Sequence, residues 1–314
     1  MPEIKALLQL CRLPNVFTAV SNVAAGYLLT HADLTDWPAF VLLVGSSALL
    51  YTAGMVLNDV FDLAQDTAER PQRPIPSGRI ALGTARTLGW TLLLAGVALA
   101  GAVTALRETL TPIVVAAALA LMVVLYDGPL KRTPLAPLAM GGCRFLNVLL
   151  GLSLGTIGTL NWHPMHWCVA AGIGTYVVGL TWFARTEAQA ESNRFGLFAG
   201  MLVMLAGTAL LGYFPRLADK QLPDFMWPLP NILHGWVWPA MWTLFAFFTV
   251  RRALPAIIDP SPRLVQFAVK QAIFAIIIFD AAIIAAVHTP LPYSIAVVAL
   301  LFPMQILGSY VYST

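Results

Sequence analysis

The sequence contains little charge, since only 11% of its 314 residues are Asp, Glu, Lys or Arg. Soluble domains are typically about 25% charged. Hydrophobic residues make up 59% of the chain and the mean hydropathy is +0.77, which excludes an ordinary soluble domain, a disordered chain and a coiled coil. The three cysteines form no CxxC pair, so neither a disulfide framework nor a zinc site is predicted. The net charge of +3 is small and lies in loops, which predicts no nucleic-acid partner.

Long hydrophobic runs occupy most of the chain. A bilayer core needs about 20 apolar residues per helix, and breaking the sequence at polar and proline clusters gives ten candidate spans. They are residues 15–31, 38–57, 83–105, 110–126, 136–158, 167–185, 195–213, 232–250, 265–287 and 291–311. Nine is the competing count, because the last run contains Pro303 and follows a tight turn. The sequence therefore predicts an all-α polytopic membrane protein with nine to ten transmembrane helices, in a single domain over residues 1–314.

Lysine and arginine are distributed unevenly between the two sides of the predicted bundle. With the N-terminus placed inside, all but three of the 18 basic residues lie at inner ends and loops, and the outer side holds only Arg107, Arg216 and Lys220. Cytoplasmic loops carry an excess of basic residues, so we predict a cytosolic N-terminus. We expect an integral multi-pass protein with its polar loops on the cytosolic side, in the plasma (inner) membrane if the host is bacterial.

Acidic residues cluster at the inner ends of the second, fourth and sixth spans, where charge is costly and usually functional. In the segment NDVFDLAQD, Asn58, Asp62 and Asp66 recur every fourth residue. A helix that continues past Asn58 would place all three on one face, where the two carboxylates repel unless a cation lies between them. Carboxylate oxygens suit Mg²⁺, which keeps several waters and commonly bridges to substrate phosphates. Asp59 lies off this face and is a weaker candidate.

Two further elements follow the fourth and sixth spans. Lys131 and Arg132, in YDGPLKR, supply donors suited to phosphate oxygens, although the inward excess of basic residues would by itself explain both. Glu187 and Glu191 lie one helical turn apart in TEAQAE. They are candidates for a second metal site, and an exposed loop that pairs them with neighbouring arginines is the alternative.

Paired carboxylates and a basic loop on one side of the membrane indicate a site for a magnesium diphosphate. A metal there would make diphosphate a good leaving group. The rest of the substrate would lie in an apolar cavity among the helices, and exclusion of water from that cavity would protect a carbocation from hydrolysis.

These segments resemble a known family. NDVFDLAQD followed by RPQRPIPSGR resembles the NDxxDxxxD signature and the RPxRPxxxG segment of the UbiA superfamily of intramembrane prenyltransferases. YDGPLKR is similar to that family's YxxxxKR element, and RLPNVFTAVSNVAAGY is similar to its first span. The resemblance implies helices around a central cavity and transfer of a prenyl chain from an allylic diphosphate to an acceptor, with Mg²⁺, expected as two ions. Glutamates replace the usual DxxxD in the second motif, so we expect a divergent member.

The resemblance also implies roles for individual residues. The metal ligands would be Asn58, Asp62, Asp66, Glu187 and Glu191. The diphosphate would be contacted by Asn58, Arg70, Arg73, Lys131 and Arg132. The predicted catalytic residues are Asp62, Asp66, Glu187, Glu191 and Lys131.

Polar residues within or beside the spans are candidates for the acceptor site and the cavity wall: Asn15, Asn22, Tyr126, Arg144, Asn147 and Asp280. Arg144 could equally extend its side chain to the inner interface. An unpaired ionised acid at the depth of Asp280 would be expensive, so we expect this residue to be protonated or paired. The acceptor class stays open between an aromatic ring, a phenol and a sugar-like or cyclitol hydroxyl.

Two other functions fit part of the sequence. A lipid or ion-coupled transporter would carry its polar residues near the bilayer midplane on broken helices, whereas these acids lie at the inner ends of spans. The altered second motif also fits a non-catalytic relative that binds prenyl lipids. The expected partners are an isoprenyl diphosphate donor, a small polar or aromatic acceptor and membrane lipid, and no oligomeric state is predicted.

Overall fold

The structure, a computed structural model, describes residues 2–155, 162–185, 194–218, 228–287 and 291–311. All regular secondary structure in these ranges is helical. The helices are α1 (Pro2–Leu10), α2 (Leu13–Leu28), α3 (Trp37–Phe61), α4 (Leu63–Glu69), α5 (Leu82–Arg107), α6 (Thr111–Leu125), α7 (Ala136–Leu152), α8 (Pro164–Arg185), α9 (Arg194–Tyr213), α10 (Pro230–His234), α11 (Val237–Ile258), α12 (Pro262–Val287), α13 (Pro292–Ala299) and α14 (Leu301–Tyr310). A π-helical turn, Tyr126–Leu130, follows α6, and a 3₁₀ turn, Phe214–Leu217, follows α9.

Each predicted span corresponds to a helix. Within the described ranges, eight helical stretches are long and apolar enough to cross a membrane, counting α6 with its π-turn and α13 with α14 as one each. The other two predicted spans are the shorter helices α2 and α7, of 16 and 17 residues. The prediction of an all-α polytopic membrane protein is confirmed.

The last predicted span is interrupted close to Pro303, the proline noted in the sequence. Helix α13 ends at Ala299 and α14 starts at Leu301, so the break lies one turn before Pro303. A proline ring clashes with the carbonyl four residues earlier, which here belongs to Ala299. This span therefore consists of two short helices.

The helices close into a ring. Successive spans pack against one another along the chain, most extensively in the pairs α3–α5 and α8–α9, and α12 returns to pack against α2. One large hydrophobic cluster runs through the ring, and a small second cluster at the end of α3 contains Leu10, Val56, Ile75 and Ala85. The small cluster anchors the loop after α4, which carries the predicted phosphate-binding arginines.

Glycines allow helix backbones to touch at several places in the ring, two of which are at Gly26 and Gly179. A Cβ added to Gly26 of α2 would lie 2.5 Å from the carbonyl oxygen of Val148 in α7. A Cβ added to Gly179 of α8 would lie 2.6 Å from the carbonyl oxygen of Gly200 in α9. Real Cβ atoms do not approach backbone this closely, so these glycines set the distance between the helices.

We expect Gly179→Ala to lower the free energy of unfolding by about 1–3 kcal/mol, because the added methyl meets backbone that cannot move aside alone. The matched control is Gly83→Ala in α5, where an added Cβ meets no atom within 4 Å. Alanine favours a helix over glycine by about 1 kcal/mol, so the control should be neutral or stabilising. Thermal unfolding in detergent measures both, and equal midpoints would contradict the close packing.

Candidate active site

The predicted acidic face lies at the junction of α3 and α4. Helix α3 ends at Phe61, and Asp62 is both the C-cap of α3 and the N-cap of α4. Hydrogen bonds from the backbone N–H of Asp62 to the carbonyl of Asn58, 3.0 Å, and from Asp66 to Asp62, 2.8 Å, continue the helical pattern across the break. The one-turn spacing predicted for the three residues is therefore kept.

Each of these residues contacts a side chain from another segment. Asn58 donates from Nδ2 to Oδ1 of Asp127 at 2.9 Å. Asp62 forms an ion pair with Lys131, and Arg73 pairs with Asp66 at 2.7 Å. The structure thus brings together the first acidic segment, the basic element after α6 and the arginine-containing loop after α4.

Asp59, the weaker candidate from the sequence, takes part in the ion pairs, and its partner Arg12 was not predicted. Asp59 is buried, and it accepts hydrogen bonds from Arg12 at 3.0 Å and from Arg73 at 3.4 Å. Arg12, between α1 and α2, has a left-handed backbone with a φ of 43°. Such a conformation is costly for a residue other than glycine and is held only by its surroundings. A basic residue just before the first span was the available signal.

The loop after α4 is folded tightly against the bundle. Its Ile75 is buried, and Ile80 donates from its backbone N–H to the carbonyl of Pro74 at 3.0 Å. Gly78 turns the chain with a φ of 74°, a conformation that favours glycine. The loop therefore presents Arg73 from a fixed backbone.

The π-helical turn carries Tyr126 and Asp127 at the wall of a cavity of about 50 Å³ between α2, α3, α6 and α7. Asp127 is buried, and its Oδ2 has no hydrogen-bond partner among the described residues. An unpaired buried carboxylate oxygen is expensive unless a ligand completes it. Asp127 is the acid at the inner end of the fourth predicted span, and no role in the site was predicted for it.

Arg185, at the end of α8, holds the segment after the π-turn. It donates to the carbonyl oxygen of Thr133 at 2.7 Å and to that of Lys131 at 3.4 Å. Arg185, one of the neighbouring arginines that could pair with Glu187 and Glu191, therefore fixes the backbone beside Lys131.

A polar network crosses the apolar interior away from these ion pairs. Asp280 of α12 is fully buried and accepts hydrogen bonds from Ser21 at 2.6 Å and from Asn22 at 2.8 Å. Arg144 donates to Asn22 at 3.3 Å and to Thr18 at 2.8 Å. The expectation that Asp280 is protonated or paired agrees with these contacts.

The network reaches the cavity at its other end. Asn147 donates to the carbonyl oxygen of Ala19 at 2.9 Å and accepts from Ser47 at 2.6 Å. Arg144 and Asn147 both line the cavity, and the Arg144 guanidinium lies 4.9 Å from the ring centre of Tyr51. Arg144 therefore points into the bundle rather than to the interface.

Several predicted residues are not engaged with the cluster. Arg132 is exposed, and the side chains of Arg70 and Arg132 make no ion pair within the described ranges. Asn15 is half-buried in the first turn of α2 and does not line the cavity. Glu187 and Glu191 lie outside the described residues.

The oxygens at the junction fit Mg²⁺. Asn58, Asp62, Asp66 and Asp127 offer the hard oxygen ligands that this ion prefers, and Oδ2 of Asp127 lacks a partner in the described part of the chain. In the same part of the chain, no three His, Cys, Asp or Glu side chains are close enough to hold a metal by themselves. Mg²⁺ commonly keeps several waters and shares its coordination with substrate phosphates, which suits this arrangement.

Known proteins share both the sequence pattern and the fold. The chain is 34% identical over 132 residues to digeranylgeranylglyceryl phosphate synthase of Methanoculleus marisnigri, covering 42% of this chain and 45% of the relative. A relative of the same name from Saccharolobus solfataricus is also matched over 45% of its length, at 30% identity. The match to that of Metallosphaera sedula, at 29% identity, covers 73% of this chain and 79% of the relative.

Among solved structures, a UbiA homologue from Archaeoglobus fulgidus bound to GPP and Mg²⁺ aligns with a TM-score of 0.64 at 16% identity, over 94% of this chain and 99% of that one. A structure concerned with digeranylgeranylglyceryl phosphate synthase in membranes aligns with a TM-score of 0.60 at 19% identity, over 91% and 99% of the two chains. Both likenesses concern the fold. Residues 19–194, more than half of the chain, match the UbiA prenyltransferase family. The chain belongs to the UbiA prenyltransferase family.

Proposed function

We propose that the chain catalyses the magnesium-dependent transfer of a prenyl group from an allylic isoprenoid diphosphate to a small acceptor within the membrane. The observation that carries this proposal is the pairing of Asp62 with Lys131 and of Asp66 with Arg73. Each pair joins a group suited to a metal with a group suited to phosphate. When a magnesium diphosphate binds, Mg²⁺ can replace the basic side chain beside each carboxylate, and phosphate can replace the carboxylate beside each basic side chain. No charge of the two ion pairs is then left unpaired.

In the proposed reaction Lys131 and Arg73 turn from the carboxylates to the diphosphate oxygens, while Asn58, Asp62 and Asp66 would hold Mg²⁺. When bound, Mg²⁺ neutralises the phosphate charge and makes diphosphate a better leaving group. The allylic C–O bond breaks with its electron pair remaining on diphosphate. The acceptor then forms the new bond to that carbon, and its proton passes to the released diphosphate.

The donor and the ion are supported by the family relationship. A UbiA homologue of the same fold is described as bound to GPP and Mg²⁺, and the same homologue as bound to DMAPP and Mg²⁺. A second ion, held by Glu187 and Glu191, belongs to the proposal. Roles for Arg70 and Arg132 on phosphate also remain predictions.

For the acceptor we propose the cavity between Tyr126 and Arg144, because it adjoins Asp127 and Asn58 and carries polar groups at both ends. Aromatic, phenolic and sugar-like or cyclitol hydroxyl acceptors were open from the sequence. The name of the relatives, digeranylgeranylglyceryl phosphate synthase, makes a glyceryl phosphate hydroxyl the first acceptor to test. Arg144 would complement the negative charge of such an acceptor.

We expect Asp62→Asn to lower kcat by about 100-fold or more, because loss of one preorganised charge contact to the reacting group typically costs about 10²–10³ in rate. The matched control is Glu69→Gln, an exposed acid at the end of α4 that contacts Gln65. Prenyl product and released diphosphate are followed in nanodiscs with and without Mg²⁺. Full activity of Asp62→Asn in protein that unfolds at the parent temperature would contradict the metal assignment.

We expect Asp280→Leu to destabilise the protein by about 1–3 kcal/mol, because the side-chain amide of Asn22 loses its acceptor. Ser21 still donates to the carbonyl oxygen of Thr18 at 3.1 Å. Asp280→Asn keeps one acceptor oxygen and should lose less. Thermal unfolding measures the difference, and KM for the acceptor reports whether Arg144 stays in place. If the leucine and asparagine variants unfold at the same temperature, the hydrogen bonds do not carry the stability.

A further inference from the structure

A second cavity lies in the other half of the ring, between α8, α9, α11 and α12. Its volume is about 200 Å³, and none of its described lining residues also lines the cavity beside Asp127. Along α12 its wall extends from Ala268 to Phe279, which corresponds to about 16 Å at 1.5 Å per residue. The cavity is therefore long and narrow, parallel to the helices.

The wall is apolar over most of this length. Phe279 lies with its ring centre 5.0 Å from that of Tyr176 and 5.5 Å from that of Phe245. The hydroxyl of Tyr176 donates to the carbonyl oxygen of Ala272 at 3.1 Å, so it is already satisfied. At this end a ligand meets aromatic rings and methyl groups, which suit a hydrocarbon chain.

The opposite end is polar and carries a positive charge. Arg252 lies in the last turns of α11, and its guanidinium is 5.6 Å from the ring centre of Phe248. In the described ranges Arg252 has no ion pair, and Gln271 lines the cavity beside it. A guanidinium at the end of an apolar cavity, with no ion pair within the described ranges, complements an anionic head group.

Arg252 differs in this respect from its neighbour. Arg251 is exposed and lines neither cavity, whereas Arg252 is half-buried. An inward excess of basic residues explains the presence of both arginines, but it does not explain why one of them lies over an aromatic ring at the end of a cavity.

We propose that this second cavity binds an anionic amphiphile with a single apolar chain, whose phosphate or carboxylate head contacts Arg252 and whose chain lies against Phe245 and Phe279. Among the described residues the site shares no lining residue with the cavity proposed for the acceptor, and ligand binding there does not require prenyl transfer. A membrane lipid and a free fatty acid share this chemistry.

The test measures binding of labelled dodecyl phosphate to the full chain in phosphatidylcholine nanodiscs, with empty nanodiscs subtracted. Arg252→Gln should weaken binding at least tenfold, and the control Arg251→Gln should leave it unchanged. Ala275→Leu, which adds bulk to the cavity wall, should also weaken it. Thermal unfolding of each variant shows that the fold is retained.

Asp62→Asn separates the two sites, because it removes a proposed metal ligand and should leave dodecyl phosphate binding intact. Displacement of the probe by lysophosphatidate identifies a membrane lipid, and displacement by dodecanoate alone identifies a fatty acid. Equal binding to the Arg252→Gln and Arg251→Gln variants would overturn the proposal. Loss of binding in Asp62→Asn would also overturn it, by placing the probe in the other site.

Discussion

A buried charge is costly unless it is paired, and the ion pairs at the junction of α3 and α4 meet this constraint. Removing one partner of a buried ion pair typically costs about 3–5 kcal/mol, because the other charge is left uncompensated. Asp59 and Asp66 are nearly inaccessible, and Arg73 contacts both. One arginine in the loop after α4 thus contacts both acids, and Arg12 supplies the second positive charge. The loop, the two helices and the residue before α2 must all be in place for the charges to balance.

The same constraint connects segments that are far apart in the sequence. Asn58 and Asp127 are separated by 69 positions, and Asn22 and Asp280 by 258. The second contact joins the first long helix to α12, where the ring of helices closes. Because polar groups gain little from lipid, these four side chains are partnered inside the protein. The packing of α12 against α2 that closes the ring therefore also buries Asp280.

The sequence alone could predict the features that depend on spacing. Apolar run lengths locate the spans, and the four-residue repeat of Asn58, Asp62 and Asp66 survives the break at Asp62 because the backbone bonds continue across it. The pairing of Asp59 with Arg12 depends on a left-handed backbone, and the π-turn that buries Asp127 depends on packing. A basic residue just before the first span is the signal for the first feature, and no spacing in the sequence predicts the second.

The contacts at Gly26 and Gly179 also bear on how such a protein can diversify. Helices whose backbones already touch cannot come closer, and a larger residue at these glycines would force them apart. The distances between these helices are thus fixed at the contacts of Gly26 and Gly179. New substrate sizes must therefore arise by exchanging side chains such as Met55 or Met140 in the cavity wall, while the frame around them is inherited unchanged.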